Sequence, residues 1–328
     1  MKENSLHSIS LYTAQLTDTQ CLQLEGLCQQ RHMEKRQVPY ARAAFKGDGI
    51  TITLYESRKL VIQGKKTAEF LEFTLEPEVL GTPQMGYEEV VHPEWFELHA
   101  GLDESGKGDL FGSPVSACVI ADGEAVRQWI ALGVRDSKNI SSNQAIFHLE
   151  EKIRKTPNVT CEVFKLSLAT YNRLYSQFHS NLNHLLAWMH AQCLKNALTL
   201  RPETPWGLLD QFSKQPLVQQ QLHHQHFELR MRPRAEEDPI VAAASILARA
   251  EFIRSMKELS SLAGMPLKFG ASRDVKAQAQ ELILRHGREN FSSFAKMHFK
   301  TAQEALATAS LDKSEVEGGE YAVVQGEA

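Results

Sequence analysis

Asp103 and Glu104 are adjacent carboxylates, and Ser105-Gly106-Lys107-Gly108 and a third acid, Asp109, follow them directly. An apolar-leaning run, Leu98 to Leu102, precedes the pair, and a second, Val115 to Ile120, follows the turn. This pattern predicts strand, turn, strand, with the acids where the first strand meets the turn. The glycines let the backbone approach another group closely, and the lysine between them adds a cation. Carboxylates beside a cationic glycine turn suit a metal ion and a phosphodiester together. Neighbouring residues of a regular strand face opposite sides. For both acids to serve one site, the strand is therefore expected to end or bulge at Ser105-Gly106.

Two further acids stand in a fitting context. Asp210 ends the buried-strand pattern Trp206-Gly207-Leu208-Leu209, and the carboxyl end of a strand is where open α/β sheets place their sites. Glu236-Glu237-Asp238 stands directly before Pro239 and the alanine-rich run Val241 to Ala248. Asp238 followed by proline is a helix start, an N-cap and a first-turn residue. That leaves Glu236 or Glu237 to reach a metal. Oxygen ligands from separate segments favour Mg²⁺ or Mn²⁺ over zinc. Two such ions about 3.5–4 Å apart would clamp the attacking and leaving oxygens of a phosphodiester. His223-His224-Gln225-His226 reads as a polar loop within a glutamine-rich stretch, not as a rival metal site.

The elements that must position these residues fall into two groups. Residues 13 to about 30 are expected to form an amphipathic helix, with Thr17-Asp18-Thr19 as caps. Gly47-Asp48-Gly49 is a turn, and Ile50 to Tyr55 and Lys59 to Gly64 read as strands of an antiparallel sheet. Thr67 to Leu75 suits another helix. Residues 1–80 thus form a small α+β domain. Between Arg31 and Lys66 it carries nine cations against three acids, a net +6. Tyr55, Ser57, Lys59, Gln63 and Lys65 lie in this stretch, polar side chains interleaved with cations as on phosphate-contacting surfaces. Residues 81–96 read as a linker. From 97 to 309 strands (98–104, 115–121, 160–166, 206–210, near 227–230) alternate with helices (124–132, 143–154, 181–199, 240–261, 274–286, 291–307), giving an α/β layered sheet. Residues 310–328 are acidic, aperiodic and expected to be disordered.

The composition sets limits. A chain of 328 residues suits about two domains. A net charge of −4 excludes a uniformly basic coat but not a local basic face. The five cysteines form no CxxC pair and read as buried free thiols. With no signal peptide or long apolar stretch, a cytoplasmic protein is expected.

The stretch Gly101 to Pro114 resembles the first motif of the bacterial ribonuclease HII/HIII family, specifically ribonuclease HIII. Asp136-Ser137-Lys138, Tyr171-Asn172, Asn181-Leu182-Asn183 with Leu185 to Ala191, Leu209-Asp210-Gln211-Phe212, Val241 to Arg249, and His298-Phe299-Lys300-Thr301 resemble its later motifs, in the same order. The resemblance implies a ribonuclease H-like catalytic domain preceded by a TATA-binding-protein-like domain that binds substrate. It implies that Asp103, Glu104 and Asp210 hold metal, and that a fourth acid before the alanine helix is Glu236 in preference to Glu237. It implies that Ser105, Gly106, Lys107 and Gly108 form the turn that touches RNA 2′-hydroxyls. The implied activity is hydrolysis of the RNA strand of RNA–DNA hybrids, leaving 3′-hydroxyl and 5′-phosphate ends, by a monomer without membrane attachment. Two other readings share these residues: a strand-transfer or junction-cutting nuclease on the same fold, and a non-catalytic duplex-RNA-binding protein whose acids are structural.

Overall fold

The computed structural model describes residues 10–81, 88–213, 215–222 and 227–308. The histidine loop and the acidic tail singled out above lie outside them. Contacts divide the chain after Glu97, with Arg127–Gly133 grouping with the first part.

The first unit contains β1 (Leu11–Gln15), α1 (Asp18–Gln30), β2 (Glu34–Arg36), β3 (Ala41–Gly47), β4 (Ile50–Tyr55), β5 (Lys59–Gly64) and α2 (Thr67–Phe70). The last runs into a π-helix, Leu71–Leu80; α3 (Glu88–Val91) and a 3-10 turn, Pro93–Phe96, follow. The sheet order is β1-β5-β4-β3-β2, antiparallel throughout. The expected helix from residue 13 begins only at Asp18. Thr17 and Gln20 form a capping box there, and the residues before it pair with β5 instead. The helix expected over Thr67 to Leu75 is α-helical for one turn and then widens. Leu24, Leu27 and Cys28 of α1 pack on Phe45, Ile52, Leu54, Leu60 and Ile62. Asp48 and Gly49, both at positive φ, close the β3–β4 hairpin.

The second unit contains β6 (His99–Ser105), β7 (Val115–Ala121), the start of α4 (Gly123–Leu132, which groups with the first unit from Arg127 on), α5 (Asn143–Lys155), β8 (Thr160–Lys165), α6 (Leu168–Gln177), α7 (Leu182–Leu200), β9 (Trp206–Asp210), β10 (Glu228–Arg232), α8 (Pro239–Ala263) and α9 (Arg273–His286). A short 3-10 turn, Phe291–Ser293, and a helix over 300–308 replace the expected single helix 291–307. The sheet order is β10-β9-β6-β7-β8, with β6 in the centre. The β6–β7 and β7–β8 pairs are antiparallel, and the β6–β9 and β9–β10 pairs are parallel.

Strand alternation decides which residue meets which helix. Ala100 and Leu102 of β6, with Leu209 of β9, share a core with Ala187, Ala191 and Leu194 of α7. Gly101 faces the other side, where a Cβ would lie 2.4 Å from the backbone nitrogen of Val241. Only glycine admits the first turn of α8 so close to the central strand. On that same side Trp206 and Leu208 of β9 pack with Val241. So α7 covers one face of the sheet and α8 the other. Asp238 fixes the start of α8: it accepts from the Ile240 and Val241 N–H groups and meets His99 Nε2 at 3.2 Å.

Candidate active site

The alternation continues into the acids. β6 stays in register with β7 through Ser105 and ends there, at the expected place, but Asp103 and Glu104 still lie within the regular strand and so face opposite sides. Asp103 falls on the α8 face and Glu104 on the α7 face, and each finds its partner there. The Asp103 carboxyl accepts from the Glu104 N–H at 2.8 Å and bonds with Ser245 of α8. Glu104 Oε2 meets Nε2 of the fully buried His190 of α7 at 3.1 Å. Its other oxygen lies 3.7 Å from Lys107 Nζ.

Asp210 shares the Asp103 side. β9 pairs in parallel with β6 up to Leu209 opposite Leu102, so Asp210 stands one step on, beside Asp103 on the α8 face. Adjacent strands run about 4.8 Å apart. Asp210 accepts from the Ala235 N–H at 3.4 Å, which ties it to the 3-10 turn Ala235–Glu237. In that turn Glu236 is half-buried and Glu237 exposed, and Glu237 lies 3.9 Å from Arg234. The turn therefore presents Glu236, the acid preferred from the resemblance, and sends Glu237 to solvent.

A further buried acid joins them. Ser245 donates to Asp136 Oδ1 at 2.9 Å, accepts from the Ser137 N–H at 3.2 Å and lies 2.6 Å from the Ser137 hydroxyl. One α8 hydroxyl thus links the Asp103 carboxyl to the Asp136-Ser137-Lys138 turn. Lys138 extends from that turn. Burial alone would lower its pKa, but Asp136, Asp103, Glu236 and Asp210 together outweigh this and raise it. The ammonium lies within the field of four carboxylates from four segments.

The glycine turn is rigid on one side and open on the other. Gly106 and Gly112 both have φ of +83°, and a Cβ on either would strike the Phe252 ring of α8. At Gly108 a Cβ would meet nothing within 4 Å. Asp109 turns away from the acids: its Oδ1 accepts from the Gly270 N–H at 2.6 Å. Near this turn Arg249 stacks on Phe252 and Phe269, its guanidinium 5.6 and 4.8 Å from the ring centroids.

The electrostatics fit a cation. Burial, and then the neighbouring Glu104, push the Asp103 carboxyl up to about 7. Burial opposes ionisation of Glu104, but its bond to His190 prevails and holds it low. A carboxyl held near neutrality by burial and by a neighbouring carboxylate is one whose charged form a bound cation would favour. Among the described residues no three histidine, cysteine or acidic groups are gathered closely enough to form a ready-made metal cage. The donors are all oxygens borne by separate elements, which suits a hard divalent ion.

In the first unit Tyr55, Lys59 and Gln63 share the sheet face opposite α1, because Leu54, Leu60 and Ile62 fill the core face. Ser57 and Lys65 lie exposed in the flanking turns. Of the nine cations in the basic stretch, five have acidic partners: Arg31, Arg36, Arg42, Arg58 and Lys66. Lys59 and Lys65 have no carboxylate partner among the described residues.

His190 and Ser245 have no assigned role in the sequence reading, although both stand in quoted motifs. Their signal is a lone polar residue in an otherwise apolar stripe: His190 among the buried residues of α7, and Ser245 within the alanine run of α8.

This fold, with acids at the ends of two neighbouring parallel strands, defines a ribonuclease H-like nuclease. A family model described as Ribonuclease HII matches residues 100–302, and a domain of unknown function matches 14–79. A protein named Ribonuclease HIII from Protochlamydia amoebophila (strain UWE25) is 38% identical over 269 residues, covering 81% of this chain and 87% of its own length. One of the same name from Chlamydia pneumoniae is 40% identical over 260 residues, 78% and 84% of the respective lengths. The crystal structure of Bst-RNase HIII in complex with Mn²⁺ is 27% identical with a TM-score of 0.63, covering 92% of this chain and 100% of that one. The chain belongs to the ribonuclease HII/HIII family and is a ribonuclease. Among the described residues no helix is long and apolar enough to cross a membrane.

Proposed function

We propose that the enzyme hydrolyses the RNA strand of RNA–DNA hybrids with two divalent ions, Mg²⁺ or Mn²⁺, leaving 3′-hydroxyl and 5′-phosphate ends. The observation that carries this is the placement of Asp103 beside Asp210 on the α8 face, with an open glycine turn at the end of the same strand. Asp103, Glu104, Asp210 and Glu236 would hold the ions, which supply a water of lowered pKa and positive charge at the leaving oxygen. Ser245 keeps Asp103 oriented, and His190 does the same for Glu104 from the opposite face. Lys138 and Arg249 supply cations for the substrate phosphates. Ser105, Gly106, Lys107 and Gly108 contact the ribose: at Gly108 the backbone is open to approach, and the 2′-hydroxyl, both donor and acceptor, is what distinguishes RNA from DNA. Residues 1–80 hold the duplex through Tyr55, Ser57, Lys59, Gln63 and Lys65. Their open sheet face and unpaired lysines suit phosphate contacts that carry no sequence information. The stretch 81–96 joins them to a catalytic domain over 97–309.

The test incubates an RNA–DNA hybrid, duplex RNA, duplex DNA and DNA with a single ribonucleotide, each with Mg²⁺ and with Mn²⁺, and maps the ends. Cutting of the hybrid, lost in Asp103→Asn, is expected. Cutting of duplex DNA in preference to hybrid would point to a strand-transfer or junction nuclease. Binding without product under either ion would point to a non-catalytic protein.

A further inference from the structure

The turn from Gly106 to Gly112 is closed by a distant part of the chain, and at its centre is a fully buried lysine. Lys296 Nζ donates to the Asp109 carbonyl at 2.7 Å and to the Gly112 carbonyl at 2.8 Å. Its ammonium lies 5.8 Å from the centroid of the Tyr171 ring. The Lys296 N–H donates to the Leu110 carbonyl at 3.0 Å, and Phe111 forms a β-bridge with Ala295. Asn172 of α6 fixes this strap in turn. Its Nδ2 donates to the Ser292 and Ala295 carbonyls, and its Oδ1 accepts from the Met297 N–H.

Among the described residues no carboxylate is hydrogen-bonded to the Lys296 ammonium. Burial pulls its pKa down to about 7, and the Asp109 charge opposes this only in part. A buried ammonium balanced mainly by carbonyl dipoles is costly, and an apolar side chain of the same size would fill the space without that cost. What an apolar side chain could not do is tie two carbonyls of the turn together. The strap pins residues 109–112, while the Gly108 side stays open.

We infer that Lys296 is a positioning residue that fixes the backbone of the Gly106–Gly112 turn against the substrate ribose and so sets discrimination between ribose and deoxyribose at the cut. This rests on the assignment of that turn to ribose contact made above.

The test uses the full-length enzyme and Lys296→Met. Single-turnover rates are measured on a hybrid and on the same duplex with one 2′-deoxynucleotide at the mapped cleavage position. The wild type is expected to prefer ribose strongly. In Lys296→Met the hybrid rate should fall about tenfold or more, as expected for slight misplacement of a contact group, and the deoxy rate much less, so their ratio falls. A merely structural role would lower both rates in proportion; an unchanged ratio therefore overturns the inference and leaves the assignment of the turn standing. A wild type that does not discriminate overturns the assignment of the turn and this inference with it. Asn172→Ala, which loosens the same strap from outside, should shift the ratio in the same direction. It decides the matter on the same criterion if Lys296→Met does not accumulate as folded protein.

Discussion

In the absence of metal the Asp103 carboxyl is pushed up to about 7, by burial first and by Glu104 second, from an ordinary value of 3.8. That is a difference of about three pH units, or about 4 kcal/mol at ~1.36 kcal/mol per unit. Between the two values the folded protein holds a proton that the unfolded chain has released. The associated stability is therefore full below about pH 4 and is lost as pH rises through about 7. Asp103→Asn removes this dependence while keeping the shape of the side chain. Glu104 is present in both proteins, so its opposite contribution drops out of the difference to first order. Urea unfolding in EDTA from about pH 4 to about pH 8 reads the effect. The wild type should lose several kcal/mol relative to the variant across that range. Mn²⁺ at the alkaline end should restore the wild type and leave the variant almost unchanged. Parallel stability curves would refute the claim that the folded pocket disfavours the charged form of Asp103.

Asp210→Asn should lower kcat by ~10²-fold or more while hybrid affinity, read by fluorescence anisotropy, stays close to wild type. Gly101→Ala would set a Cβ 2.4 Å from the Val241 backbone nitrogen and 2.5 Å from the Ile240 carbonyl carbon; overpacking against backbone should cost about 1–3 kcal/mol in urea unfolding and slow cleavage. Ser245→Ala removes the hydroxyl that donates to the buried Asp136 carboxylate and leaves it the Lys138 N–H; about 1.5–3 kcal/mol of stability, as for a hydrogen bond to a charged group, should be lost, seen as a lower Tm. Lys59→Ala and Lys65→Ala should raise KM with kcat kept, and each should reduce the salt slope of hybrid binding by about 0.9 if it meets one phosphate.

Much of the second unit is legible along the chain because its strands are short apolar runs ending in acids and its helices carry marked stops. Val115–Ala121 and Trp206–Asp210 are readable to the residue, and Asp238-Pro239 announces α8. α6 is not, because it buries only Leu168 and Tyr171 and so shows no clear apolar stripe. β1 is hidden for a different reason: an edge strand's half-exposed alternation runs into the helix after it, and only the Thr17–Gln20 box marks the border. At the site, the acids on β6 and β9 are visible, but the means by which two adjacent acids are supported is not. The sequence suggests that a strand end at Ser105-Gly106 turns both acids to one side, and the strand does end there. The pair nevertheless lies within the regular strand, and Ser245 and His190 reach it from opposite faces. Nothing local to Asp103 encodes those supports, which lie on helices 86 and more residues away.

The strap at Lys296 also gives the molecule a clock. The carbonyls it ties are made 187 residues before it. At synthesis rates of ~5–20 residues per second, that is on the order of 10–40 s. During that interval the emerging chain already carries Asp103 and Glu104 beside an unclosed turn. A message cut short before this strap would yield a protein with the acids but without a finished turn. The order of translation thus leaves this turn unclosed until nearly all of the second unit has been made.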